Sequence, residues 1–493
     1  MSVATLQNYI DGRWIDADSK RSLAVTNPAT GETIARVPLS PAAAVDQAVQ
    51  AAARAFPAWR QTPVSRRVKP LFQLAELCHR HEEEICRTLV AEMGKSLTDA
   101  RAEMKRTIEN IEAATAMPLL QQGEKLCGAA PDMDGEILRV PLGVFGLIPP
   151  FNFPAMVPFW FIPYAIAAGN TYVVKPSEQV PCTMQMLTGY LHEVGLPGGV
   201  FNMVHGDKET AAALLNNPGL SGISFVGSSR VAKLVAETCA RNGRRYQALG
   251  SAKNHLVVMP DARLDEAVRN MVTSCFGCAG QRCMASSVIV PVGDAMHDEV
   301  VRRFVVAARQ VTVANPLDPA HAEEPMLMGP VISAKAKRFV LEMIAQGIKE
   351  GAHLALDGRD IQVPGGERGH FVGPTVFVDV KPGMQIHQTE IFGPVVVVIR
   401  AQNFDEAVAI INAHPYGNGA SVYTQNGFWA RRFKMEANAG MLGVNVGIPA
   451  PVAYLPFGGT KASAFADIKA QGREVISFFT ESRVITERYW PEL

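Results

Sequence analysis

No sign of charge dominates this sequence: 47 Lys and Arg residues face 47 Asp and Glu residues in a chain of 493. Holding nucleic acid regardless of sequence requires a basic surplus to neutralise phosphates, so no nucleic-acid partner is expected. Long apolar runs are missing as well. The longest, Pro154 to Gly169, contains three prolines and falls short of the roughly 20 residues that span a bilayer. It reads as a buried helix bent by Pro158 and Pro163, and no membrane association is expected. The first residues show no positive start followed by an apolar stretch, so no secretory signal is read there. Cysteine is scarce, at 8 residues, too few for a disulfide framework in so long a chain; a cytoplasmic location is the expectation. Charged residues make up only 19% against 48% apolar ones, which excludes a solvated, disordered chain and predicts large buried cores.

Apolar residues recur three and four apart over Ala42 to Phe56 and Ser65 to Ala100, so the chain opens with amphipathic helices. From Val140 the texture changes. The runs VFGLIPP, TYVVKP, VFNMVHG and GISFVGS each end in Gly, Pro or Ser and lead towards a helix. Parallel strands need crossover helices, so this alternation predicts a parallel, doubly wound sheet. A second series begins near Asn254, with LVVMPDA, SSVIVPV, TVFVDV and VVVVIR separated by helices such as His297 to Gln310 and Ser333 to Gly351. The fold class is therefore α/β, with two doubly wound α/β domains: residues 1–120 with 141–253, then 254–470. Residues 121–140 are rich in turns, and Ser477 to Trp490 reads as a strand leaving the body. Together, 121–140 and 471–493 are expected to form a small β oligomerisation arm, its alternating RVITERYW (Arg483 to Trp490) suiting edge addition.

The strongest candidate for chemistry lies in FGCAGQRCMA (Phe276 to Ala285). Cys283 follows Gly280, Gln281 and Arg282, and a thiol beside a guanidinium at a glycine-loosened turn is expected to have a lowered pKa and an accessible sulfur. Most free cysteines are simply small buried hydrophobes. Cys275, Cys278 and Cys283 also cluster, yet no second cysteine pair or histidine pair completes a zinc set, and no metal is expected.

Six motifs follow one another along the chain: FNFP (Phe151 to Pro154), KPSE (Lys175 to Glu178), FVGS (Phe225 to Ser228), GQRC (Gly280 to Cys283), EIFGP (Glu390 to Pro394) and PFGG (Pro456 to Gly459). Together they resemble the aldehyde dehydrogenase superfamily from end to end. AKNH (Ala252 to His255), the GQRCM form of the cysteine loop and RTIEN (Arg106 to Asn110) resemble its CoA-acylating methylmalonate-semialdehyde dehydrogenase branch.

The resemblance implies that the first domain is a Rossmann-like NAD-binding unit and the second carries the nucleophile, Cys283. It makes the Asn152 amide and the Cys283 backbone N–H the oxyanion donors. NAD would meet Phe151, Lys175, Glu178, Gly227, Ser228, Glu390 and Phe392, with the Glu178 carboxylate taking ribose hydroxyls and repelling a 2'-phosphate. Ala232 stands where a second family glycine is usual. Arg106 and Arg282 would hold a substrate carboxylate, a task that suits the fork-shaped guanidinium. Hydrolytic members carry a glutamate that activates water; here that position falls on Leu249 or, shifted by one, Ala248, and neither accepts a proton. A persistent thioacyl enzyme would await coenzyme A, giving acetyl-CoA or propionyl-CoA after decarboxylation of malonate or methylmalonate semialdehyde. A hydrolytic aldehyde dehydrogenase with another base, and a catalytically silent dinucleotide-binding relative, are the alternatives. The segment PFGGTKASAFAD (Pro456 to Asp467) is closer to the general superfamily than to the branch. An unfunctionalised short aldehyde therefore stays open as substrate beside the two semialdehydes. Pairing into a homodimer or homotetramer is the expectation.

Overall fold

Residues 3–321 and 324–490 are described in the computed structural model of the chain; residues 1–2 and 491–493, the outer ends of the expected first domain and arm, lie outside the described residues. Seven strands form a first sheet: β1 (Asn8–Ile10), β2 (Arg13–Ile15), β3 (Val144–Ile148), β4 (Thr171–Val174), β5 (Phe201–Met203), β6 (Gly222–Val226) and β7 (Arg245–Leu249), in the order β7-β6-β3-β4-β5-β1-β2. From β3 to β7 the neighbours run parallel. A second sheet holds β8 (Asn254–Val258), β9 (Ser286–Pro291), β10 (His353–Leu356), β11 (Thr375–Val378), β12 (Val395–Val398), β13 (Gly419–Tyr423) and β14 (Met441–Val444), in the order β10-β11-β12-β9-β8-β13-β14. Only β10 is antiparallel there. Helices cover both faces of each sheet, which is why TYVV and VVVV are buried at every position instead of alternating.

One expectation about an element changes. Pro154 to Gly169 is not one bent helix: it breaks into Met156–Phe159 and Ile162–Ala168, Pro163 standing in the first turn of the second. Proline lacks the N–H that an uninterrupted helix would use, and at a helix start that loss costs nothing. The turn-rich stretch 121–140 is a hairpin of two strands, Glu124–Ala130 and Met133–Pro141. The C-terminal strand Thr480–Arg488 pairs antiparallel with Met133–Pro141 along nine residues. Its apolar outer residues, such as Val484, face solvent, as does Leu126 on the hairpin.

In the first sheet the chain proceeds outward from β3 through β4 and β5, then returns to the opposite side of β3 for β6 and β7. The gap between the carboxyl ends of β3 and β6 is a topological switch point, where loops diverge and leave a crevice. The second sheet meets this crevice with the amino ends of β8, β9, β12 and β13.

Candidate active site

Cys283 stands between the helix Leu264–Phe276 and β9, in a loop whose backbone is strained. Cys278, Ala279 and Gly280 have φ of 51°, 53° and 72°, three left-handed residues in succession. Such conformations persist where the surroundings over-determine them. A Cβ on Gly280 would lie 2.3 Å from the Gly393 carbonyl oxygen, so only glycine lets the cysteine loop close on the EIFGP segment. The Cys283 carbonyl accepts from Asn254 Nδ2 at 2.9 Å and Asn418 Nδ2 at 3.0 Å. Gln281 ties the same loop to Pro330 O and Ile332 N.

The helix Leu97–Thr115 supplies the opposite wall. Its cap is Ser96, whose hydroxyl accepts the Asp99 N–H at 3.1 Å. Asp99, Ala102, Glu103 and Arg106 follow at the spacing that puts them on one face, and all four line a cavity of about 290 Å³ together with Arg282, Cys283 and an apolar group including Phe153, Trp160, Ile448 and Phe457. Arg106 is paired with Glu109 at 2.6 Å on the same helix. Asn152 follows the carboxyl end of β3, is buried, and donates from Nδ2 to the Gln281 carbonyl at 2.9 Å. Cys283, the Asn152 amide and both arginines thus converge, from three distant parts of the chain.

On the far side of Cys283 a narrow cleft is lined by Ala252, Asn254, Gly280, Glu390 and Phe392. Glu390 is fixed by the Ala252 N–H at 2.9 Å, and Phe392, at φ 55°, meets Phe151 edge to face with centroids 5.7 Å apart. Lys175 and Glu178, after the carboxyl end of β4, form an ion pair of 2.7 Å. Gly227 and Ser228 lead from β6 into the helix Ser229–Arg241. A helix N-terminus across the switch point from a partly exposed carboxylate is a donor set that fits a dinucleotide's diphosphate and ribose. One of its N–H groups, that of Ser229, is already given to Ser251 Oγ at 3.1 Å.

A family model described as aldehyde dehydrogenase family matches residues 14–485. The chain belongs to this family. Malonate-semialdehyde dehydrogenase 3 of Geobacillus kaustophilus strain HTA426 is 46% identical over 485 residues, covering 98% of this chain and 99% of the relative. Among solved structures, the NAD complex of a protein described as a methylmalonate-semialdehyde dehydrogenase from Sinorhizobium meliloti 1021 superposes with a TM-score of 0.97 at 40% identity, covering 100% and 99% of the two chains. The methylmalonate-semialdehyde dehydrogenase of Oceanimonas doudoroffii gives 0.96 at 42% identity, with the same coverage.

In this aldehyde dehydrogenase one expectation is reversed. Burial, and next the Glu390 carboxylate, push the Cys283 thiol up to about 12, against which Arg282 has only a small opposing effect. The guanidinium is turned away: Nη2 bonds Asp99, and Nε approaches Cys278 Sγ at 3.3 Å. Burial works against its charge, but Asp99 more than offsets that and holds Arg282 firmly protonated. Adjacency in sequence does not make the guanidinium a neighbour of the sulfur, because successive side chains in an extended turn point apart. Gly277 makes room for this arrangement, since a Cβ there would lie 2.3 Å from the guanidinium.

Sequence reasoning passed over Lys95, Asp99, Glu103 and Asn418, which hold the site's residues in place without carrying a motif of their own, and it named Gln281 only as part of GQRC, without its tie to Pro330 and Ile332. The one readable signal was Ser96-x-x-Asp99, a capping pattern. Its carboxylate, instead of reaching back to the cap, accepts the Cys278 N–H at 3.0 Å and the Arg282 guanidinium.

Proposed function

We propose that this aldehyde dehydrogenase is an NAD-dependent, CoA-acylating enzyme that oxidises malonate or methylmalonate semialdehyde to acetyl-CoA or propionyl-CoA with loss of carbon dioxide. The first sheet with its helices is the NAD-binding unit, the second carries the nucleophile, and the three-stranded sheet is the oligomerisation arm. The location in this reading is the cytoplasm, which the scarcity of cysteine suits.

Cys283 first releases its proton to water, the thiolate sulfur adds to the aldehyde carbon, and the charge that builds on the carbonyl oxygen is met by the Asn152 amide and the Cys283 N–H, donors fixed in place before the reaction. A bound nicotinamide would supply the hydride acceptor and a positive charge; Glu390 and Phe392 would hold its ribose side, Lys175 and Glu178 the adenosine ribose, and Gly227 with Ser228 the diphosphate. Loss of the hydride leaves a thioester on Cys283. A β-carboxylate can then depart as carbon dioxide because the thioester carbonyl absorbs the electrons as an enolate. Arg106 recognises that carboxylate, exchanging its bond to Glu109 for one to substrate, while Arg282 is held in the cavity wall as an ion pair with Asp99.

The observation that carries this reading is at the end of β7. Ala248 and Leu249 are buried there, where a hydrolytic enzyme needs a base, so water is not activated and a thiol must take the acyl group. The hydrolytic alternative draws on Glu390, a carboxylate that lines the Cys283 cleft and whose pKa burial raises. Turnover of malonate semialdehyde with and without coenzyme A separates the two. Rapid NADH formation only with coenzyme A, ending in acetyl-CoA, is expected; full-rate release of free acid without it sinks the reading.

A further inference from the structure

We infer that Lys95 and Glu103 are positioning residues for the Asn152 amide: a buried ion pair that fixes the loop presented to the reacting oxygen. The inference rests on Asn152 acting as the oxyanion donor. Both side chains have no solvent exposure. Lys95 Nζ lies 2.5 Å from Glu103 Oε2 and donates at 2.8 Å to the backbone carbonyl of Asn152 itself. The second carboxylate oxygen accepts the N–H groups of Ala155 and Met156 at 2.9 and 3.1 Å. The ammonium also sits 4.1 Å from the centroid of the Phe153 ring. One pair therefore grips residues 152–156 through three backbone groups and a ring, while the Asn152 side chain reaches forward to Gln281.

Stability alone is a weak reason for such a pair, because burying two charges costs about as much as their attraction returns. The arrangement makes chemical sense as a brace. Asn152 lies two residues after the Pro149-Pro150 pair and two before Pro154, in a segment with no ladder of its own to hold it. An oxyanion donor is effective only if it does not reorganise as charge appears, and a displacement near 1 Å can cost about a hundredfold in rate. Lys95 sets the Asn152 carbonyl, which sets the Cα from which the amide projects.

The double variant Lys95→Met/Glu103→Gln removes both charges together and leaves an amide oxygen to accept from Ala155 and Met156, so what is lost is the tether on the Asn152 carbonyl and the ammonium's contact with the Phe153 ring. Its kcat for NADH formation should fall about 10- to 100-fold, with the KM for aldehyde within threefold of the parent and the melting temperature preserved. The same two substitutions in an Asn152→Ala background should cost less than a further twofold. A folded double variant with kcat within twofold of the parent overturns the proposal, and so does an undiminished loss in the Asn152→Ala background. If the double variant does not fold, Glu103→Asp, which draws the carboxylate back by one methylene, must show the same Asn152-dependent loss; full activity there overturns the proposal equally. An Asn152→Ala enzyme of undiminished kcat removes the donor role itself, and the brace with it; a slow Asn152→Ala beside a full-rate double variant removes the brace alone.

Discussion

At Cys283 two influences compete, and burial outweighs the backbone N–H groups of Cys283 and Met284 that favour the thiolate. The protein without its cofactor therefore keeps the sulfur protonated through neutral pH. Since an acid whose pKa is raised loses its proton only at higher pH, alkylation of Cys283 by iodoacetamide should keep accelerating beyond pH 9, with Cys283→Ala as the blank. A rate that levels off near pH 7, followed by mass spectrometry, contradicts this. Arg106 offers a cleaner test of substrate charge than Arg282, because its pair with Glu109 is partly exposed whereas the Arg282–Asp99 pair is more deeply buried. Arg106→Met removes a charge-assisted contact of about 1.5–3 kcal/mol, so kcat/KM for a carboxylated aldehyde should drop about 10- to 100-fold while propanal is turned over as before. Equal losses for both substrates would show that the guanidinium does not read the carboxylate.

The elements that meet at the site owe their accuracy to backbone geometry that side-chain motifs do not announce. The cysteine loop passes through three left-handed residues and packs on Gly393, and Gly280 is the position with no room for a methyl group. Gly280→Ala is expected to cost about 1–3 kcal/mol in backbone strain and to lower kcat about a hundredfold by shifting Cys283. Pre-steady-state NADH bursts would register the shift as a slower burst of unchanged amplitude, whereas an unchanged burst rate would mean that the loop tolerates the methyl. Helix faces were legible in advance where apolar spacing was regular, as in Ala42–Gln61. The break within Pro154 to Gly169 was not, since whether a proline bends a helix or starts a new one depends on what packs against the segment.

On the scale of the molecule, the three-stranded sheet stands apart from both cores, with Leu126 and Val484 more than 60% exposed. Apolar residues so displayed on a strand that has an edge to offer suit addition to a second copy. If the full chain runs as a dimer or tetramer in light scattering, a chain ended at Phe479 should run as a monomer; an unchanged mass would remove the arm from the interface. The order of the motifs, the alternation of buried strands with crossover helices, and the lack of a proton acceptor at Ala248 and Leu249 were all decided by the sequence, because each depends on residue identity along the chain. Tertiary structure alone decided where charges go. Arg282 is next to Cys283 in sequence yet serves Asp99, and Lys95 reaches Asn152 across 57 positions. Electrostatic effects follow distance and burial in space, and neither exists until two sheets from separate stretches of chain close on one crevice.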